Sequence, residues 1–365
     1  MIAALSHLVG FLLLVLLIRA QDSGSQEIEE LYRKFLSKHK KSFDRLLDPR
    51  RLQRFFERYE LVQRHNAKLN HEHNFLIELN EFSDLFDEEV SSLFSFNGTL
   101  FDRFTGETFD PKKSLMGSSY TNLFGFQSAS PNAGTMLNWA TEENPLKKGV
   151  TGTIHYQVRQ PIRLNPSHLF LCQGTCGACW AFVATASTEA AIKISLLESR
   201  DESSKNLADQ IPSLSAQELI DCDDQFNRGC RGGNPVMAFS YIAENGLGSE
   251  LSYPYDERLH ERCDFRANQS RYFISRIRRI VARNENAIRL ALEDGPVSVG
   301  VCGTDLPFLF YASGIFDFRE CCRVQNHAML IVGYGHDPDL GLDYWIAQNS
   351  WGEHWGENGF MRILR

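Results

Sequence analysis

Between residues 26 and 70 charged and apolar positions alternate with the spacing of helices: Leu31 and Phe35, then, after a break at Asp48-Pro49, Phe55, Tyr59 and Val62. Apolar groups three or four apart fall on one helical stripe, while the Arg, Lys and Glu residues between them face water. Two amphipathic helices are therefore predicted. Phe75-Leu76-Ile77-Glu78-Leu79 is a short β-type run. From 91 to 133 the chain is rich in Ser, Gly, Asn and Phe without a period, which predicts a mobile linker and a boundary near residue 133.

The remainder changes character. Residues 179–197 are Ala-rich and free of Gly and Pro, the pattern of one long buried helix. Gly295-Pro296-Val297-Ser298-Val299, Ala328-Met329-Leu330-Ile331-Val332 and Tyr344-Trp345-Ile346-Ala347 read as strands between Gly and Asp turns. Helices first and antiparallel strands afterwards argue for an α+β fold.

At 365 residues and 43% apolar content the chain has enough material for two or more folding units. The net charge of -8 and the lack of basic runs interleaved with aromatics exclude a nucleic-acid face. Residues 1–20 combine a short polar start, an apolar run over 8–18 and Arg19-Ala20, as in a secretory signal peptide. That run is short of the roughly 20 residues a spanning helix needs, so no membrane association is expected after its cleavage. Nine cysteines behind such a signal imply an oxidising compartment with most paired and at least one left over. Asn97-Gly98-Thr99 and Asn268-Gln269-Ser270 are glycosylation sequons that fit the same route.

One cysteine stands out. A thiol attacks amides well only as a thiolate, which calls for a lowered pKa, an imidazole partner and donors for the developing oxyanion. Cys179, in Gln173-Gly174-Thr175-Cys176-Gly177-Ala178-Cys179-Trp180, opens the long predicted helix, whose positive end favours a negative sulfur. Its neighbouring glycines let a substrate backbone come close. Taken singly, Cys179 and His327 would each read as buried structural groups; the joint pattern argues otherwise. Cys172, Cys176 and Cys179 could suggest zinc, but no second pair of that spacing exists, so no metal or organic cofactor is expected.

The string Cys176-Gly177-Ala178-Cys179-Trp180 resembles the signature of papain-family cysteine proteases of the cathepsin L-like group. Asn326-His327-Ala328, Gln348-Asn349-Ser350-Trp351-Gly352, Gly229-Cys230-Arg231-Gly232-Gly233, Asp221-Cys222-Asp223 and Trp355-Gly356-Glu357-Asn358-Gly359-Phe360 resemble its further motifs in order. The N-terminal part is similar to the family's inhibitory propeptide: Arg51, Phe55, Val62 and Asn66 recur at its helical spacing, and Asn80-Glu81-Phe82-Ser83-Asp84 matches its second motif. Leu47 and Arg58 depart from that pattern, and a weaker propeptide latch is expected from them.

The resemblance implies a two-domain fold, helical on the left and antiparallel, barrel-like β on the right, preceded by a helical propeptide. It divides the chain into a signal over 1–20, a propeptide and linker over 21–132 and a peptidase domain over 133–365. Cys179 would be the nucleophile and His327 its partner, resting as thiolate and imidazolium. Gln173 and the Cys179 N–H would form the oxyanion hole, Asn349 would orient His327, and Trp351 would shield that contact. Gly177, Gly232, Gly233 and Pro235 would bind substrate, with hydrophobic residues preferred next to the apolar wall at Pro235. Cys176 would bridge Cys230, and Cys222 would bridge Cys263; Cys302, Cys321 and Cys322 stay unassigned. The implied product is a monomeric endopeptidase, made as a zymogen in the secretory pathway for a lysosome or the exterior, with peptides as substrates and its own propeptide as inhibitor. An impaired relative acting as a binding or inhibitory scaffold is the rival reading.

Two departures are expected to matter. Residues 158–173 interrupt the family pattern, and deleting them sets Gln157 directly before Gly174, as a retained intron would explain. The chain also ends at Arg365, short of a further strand and cysteine that the resemblance leads one to expect.

Overall fold

The computed structural model describes residues 26–91, 93–94, 96, 107–109, 136–144, 149–151, 176–225, 227–264 and 270–365. The predicted signal, the block 158–173, Gln173 and the sequons at Asn97 and Asn268 lie outside the described residues.

Two helices open the described chain, α1 over 26–38 and α2 over Pro49–Asn66. Asp48 caps α2 by accepting the Arg50 N–H at 3.0 Å, and Pro49 sits where a missing N–H costs nothing. The predicted stripe closes them on each other through Tyr32, Phe35, Leu36 and Phe55. Next comes β1, Phe75–Ile77, followed by α3, Asp87–Ser91. The Asn66 side chain donates to the Ile77 carbonyl at 2.8 Å and accepts its N–H at 3.1 Å, standing in for a neighbouring strand.

The helical half is built around α4, Cys179–Leu197, buried along most of its length as its Ala-rich pattern predicts. Packed near it are α5 (Glu202–Ala208), α6 (Ala216–Cys222) and α7 (Pro235–Asn245), the last two capped by Ser215 and Asn234. Trp180, Phe182, Leu219, Ile242 and Tyr255 belong to their common core. Disulfides join Cys176 to Cys230 and Cys222 to Cys263, as the resemblance implies.

Beyond α8 (Glu285–Leu292) the chain turns to strands: β5 (Val297–Val301), β6 (Tyr311–Phe316) after the short α9 (Leu306–Leu309), β7 (His327–Asp337), β8 (Leu342–Gln348) and β9 (Phe360–Leu364). With β3 (Leu137–Asn138) they form a seven-stranded sheet in the order β1-β6-β9-β8-β7-β3, with β5 also on β7. The mixed helix and sheet architecture is the predicted α+β class, and the sheet stays open, barrel-like without closing. A small second sheet pairs β2 (Glu107–Phe109) in parallel with β4 (Arg278–Ile280).

The N-terminal segment is part of this body. β1 pairs with β6 antiparallel, and Val62, Phe75, Phe82 and Phe94 enter one core with Phe308, Tyr311, Trp351 and Trp355. This corrects part of the linker expectation for 91–133: Leu93, Phe94 and Phe96 are buried, because they dock on apolar groups distant in sequence. Among the described residues no helix is long and apolar enough to cross a membrane.

Candidate active site

Cys179 is the first residue of α4 and is fully buried. Ala178 offers no side-chain cap, and the sulfur sits at the positive end of the helix. The Cys176–Cys230 bridge and the Gly177 N–H, donating to the Cys230 carbonyl at 3.0 Å, fix the approach to the helix. Cys179 packs with Val183, with Ala328 and with Phe96.

Gly232 and Gly233 sit on the same wall. Gly232 has φ +109°, where a side chain would be strained, and a Cβ on Gly233 would lie 2.7 Å from the Trp180 indole. Pro235 opens α7 two residues further on and is buried beside Val236 and Met237.

His327 opens β7 on the facing wall, opposite Val301 of β5. Its Nε2 lies 2.8 Å from Asn349 Oδ1, which also accepts the Ser350 backbone N–H at 2.8 Å. A backbone N–H can only donate, so Oδ1 is the acceptor and Nε2 carries the proton. The neutral ring therefore keeps its lone pair on Nδ1, which has no hydrogen bond among the described residues. Trp351 stacks on the imidazole at 4.8 Å between ring centres, and Phe94 and Phe308 meet it edge-on at 5.7 and 6.2 Å. Burial in this aromatic box pushes His327 down to about 4, against the opposing effect of its bond to Asn349. Burial of the covered ring thus works against the resting imidazolium implied by the resemblance.

What covers it is Phe94, with Phe96 beside it. Phe96 pairs in parallel with Gly233 on one wall, and its N–H donates to the Asn326 carbonyl on the other at 3.0 Å. Phe96 so placed touches both walls of the cleft. Sequence reasoning missed Phe94 and Phe96; the density of Phe in an aperiodic stretch was the one available sign.

A polar knot holds the rest of the segment. The buried Asp84 carboxylate takes Lys41 at 2.6 Å, Arg45 at 2.6 Å and the Tyr32 hydroxyl at 3.1 Å. Burial alone would raise Asp84, but the two cations more than offset it and hold it below the usual range. Glu89, a bidentate partner of Arg51 at 2.8 and 2.9 Å, is lowered against its burial in the same way. Asn80 donates to the Leu309 carbonyl at 2.8 Å, and Phe82 meets Trp351 edge-on at 5.3 Å. Arg58 reaches Asp87 at 3.2 Å and lies 5.8 Å from the centre of the Phe310 ring, while its buried Nε has no hydrogen bond among the described residues. Leu47 is 81% exposed and touches none of this.

The family described as papain family cysteine protease matches residues 167–365, more than half of the chain. This chain belongs to the papain family of cysteine proteases. Residues 32–90 match the cathepsin propeptide inhibitor domain, so this papain-family chain is the zymogen of a cysteine endopeptidase. It is 31% identical over 347 residues to thiol protease SEN102 of Hemerocallis sp., covering 94% of this chain and 83% of that one. Pro-cathepsin H of Mus musculus is 32% identical over 341 residues, 92% of this chain and 85% of the relative. Among solved structures, digestive procathepsin L2 proteinase from Tenebrio molitor larval midgut superposes with a TM-score of 0.73 at 26% identity, covering 93% and 94% of the two chains.

Proposed function

We propose that Cys179 is the nucleophile of this protease and His327 its general base. His327 Nδ1 takes the thiol proton, the sulfur attacks the scissile carbonyl carbon, and the oxyanion is met by the Cys179 N–H and the Gln173 side chain. The imidazolium then protonates the leaving amine, giving a thioester acyl-enzyme that water cleaves with His327 again as base. Asn349 holds the productive tautomer, and Trp351 keeps water from that bond. Gly177, Gly232 and Gly233 take the substrate backbone as an added strand, and the wall at Pro235 favours an apolar side chain.

The observation that carries this reading is the fixed tautomer of His327, proton on Nε2 toward Asn349 and lone pair on Nδ1, on the strand packed beside the Cys179 helix. Residues 21–132 act as propeptide and linker and 133–365 as the peptidase, a monomer routed through the secretory pathway by residues 1–20 to a lysosome or the exterior, with Asn97 and Asn268 glycosylated. Cys179→Ala should abolish peptide hydrolysis by the acid-processed enzyme, and Asn349→Ala should cost less than His327→Ala, orientation being worth less than the base itself. Activity of Cys179→Ala within about tenfold of the parent rejects the assignment.

A further inference from the structure

The third disulfide lies outside the pairs implied by the resemblance and touches the site. Cys302 follows β5 and Cys322 precedes β7, and their bridge closes a loop of 20 residues in sequence separation. Both ends of that loop flank His327. At one end, the Gly303 N–H donates to Asn326 Oδ1 at 2.9 Å, and a Cβ on Gly303 would lie 3.2 Å from the His327 Cβ. At the other, Asn326 immediately precedes His327 and points its Nδ2 at Thr304 Oγ1 (3.1 Å) and Cys302 Sγ (3.6 Å). Thr304 Oγ1 is also 3.2 Å from Cys322 Sγ, and Asp305 Oδ2 accepts the Cys322 N–H at 2.6 Å. Phe308, which meets the imidazole edge-on, belongs to the same loop.

We propose that the Cys302–Cys322 bridge, acting through Asn326, is a positioning brace that holds the His327 imidazole where it can protonate the leaving group. The inference rests on His327 as the acid and base of the reaction. Asn326, on the N-terminal side of the ring, is tied to the Gly303 and Thr304 end of the loop, and the bridge joins that end covalently to Cys322. Without it the Asn326 backbone keeps its bond to Val301 of β5 at 3.0 Å, but the Asn326 side chain holds Gly303 and Thr304 of an unfastened loop, and the imidazole can tilt about the start of β7. A tilt leaves Cys179, on the opposite wall, in place. It harms most the step in which the proton must reach a poor leaving group. Cys321 is exposed and unbridged, adjacent to Cys322, so a serine there removes an adjacent thiol able to exchange into the bridge.

The test uses the acid-processed enzyme carrying Cys321→Ser, with and without Cys302→Ser and Cys322→Ser. Amide substrates need the leaving nitrogen protonated, whereas p-nitrophenyl esters release a phenolate that does not. The brace predicts about a tenfold loss in kcat on the amide, a clearly smaller loss on the ester, which needs His327 as base but not as acid, and a shifted acid limb of kcat/KM on the amide. Equal losses on both substrates, or unchanged kinetics with a lower Tm alone, overturn it. Should the double variant fail to fold, the Cys321→Ser enzyme is titrated with a phosphine. That reagent takes the oxygen of water, leaves both sulfurs as thiols and does not alter the Cys179 thiol. Amide activity falling in step with bridge opening, followed by mass spectrometry, supports the brace; full amide activity with the bridge open overturns it. A His327→Ala enzyme with retained activity would instead remove the assignment of the base, a distinguishable result.

Discussion

The N-terminal segment grips the peptidase in two ways that differ in chemistry. At Asp84 the grip is ionic, a buried carboxylate between Lys41 and Arg45. At Phe94 and Phe96 it is apolar, aromatic rings laid on His327, Trp351 and Cys179. The first stabilises the docked segment, while the second dries the imidazole. They also answer acid differently. Asp84 and Glu89 are lowered from ordinary values of 3.8 and 4.5, so their contribution is complete above those values and is lost as pH falls below them. His327 is lowered from 6.5 to about 4, so the dry contact, which favours the neutral ring, weakens as pH falls from 6.5 toward 4. The aromatic cover should therefore loosen first, and the knot only in stronger acid. The acid trigger is thus expected at the buried imidazole before the carboxylates.

Breaking the ionic grip should have the largest effect. Asp84→Ala strands two buried cations and should cost the precursor about 3–5 kcal/mol, read from its urea midpoint, with loss of latency at neutral pH. Retained latency and an unchanged midpoint would show that the knot is ornamental. Phe94→Ala should cost less, about 2 kcal/mol for the lost burial, but it should move His327 back up toward 6.5, measured by NMR titration of the ring. A ring still titrating near 4 would mean that Phe94 is not what dries it. Smallest is Leu47→Glu, which restores an acid to the helical signature: at 81% exposure the change should stay within about 0.5 kcal/mol.

Local chemistry was legible in the sequence wherever a periodic pattern or a contiguous motif carried it. The stripe of Phe55 and Val62, the Ala-rich run from Cys179 and the strand at Ala328 to Val332 all describe what their own neighbours enforce. Contacts between distant segments were not legible. Nothing near Phe94 in the sequence states that it will meet His327, and the pairing of β1 with β6 joins residues 75 and 314, which no local period encodes. Arg58 shows the same limit: its departure from the pattern suggested a weaker latch, and Asp87 and Phe310 supply a contact that only the fold brings together. Cys302 and Cys322 resisted assignment because spacing alone does not fix connectivity.

The central claim, a Cys179–His327 site masked by Phe94 and Phe96, is tested most directly by labelling the uncleaved precursor with a thiol-directed epoxide. The reaction is quenched before processing and mapped by mass spectrometry across a pH series. Label should be nearly absent at pH 7, appear on Cys179 as pH falls from 6.5 toward 4, and reach Cys179 rapidly in the processed enzyme. Rapid labelling of Cys179 at pH 7 in the uncleaved chain, or labelling of Cys321 in its place, would contradict the account.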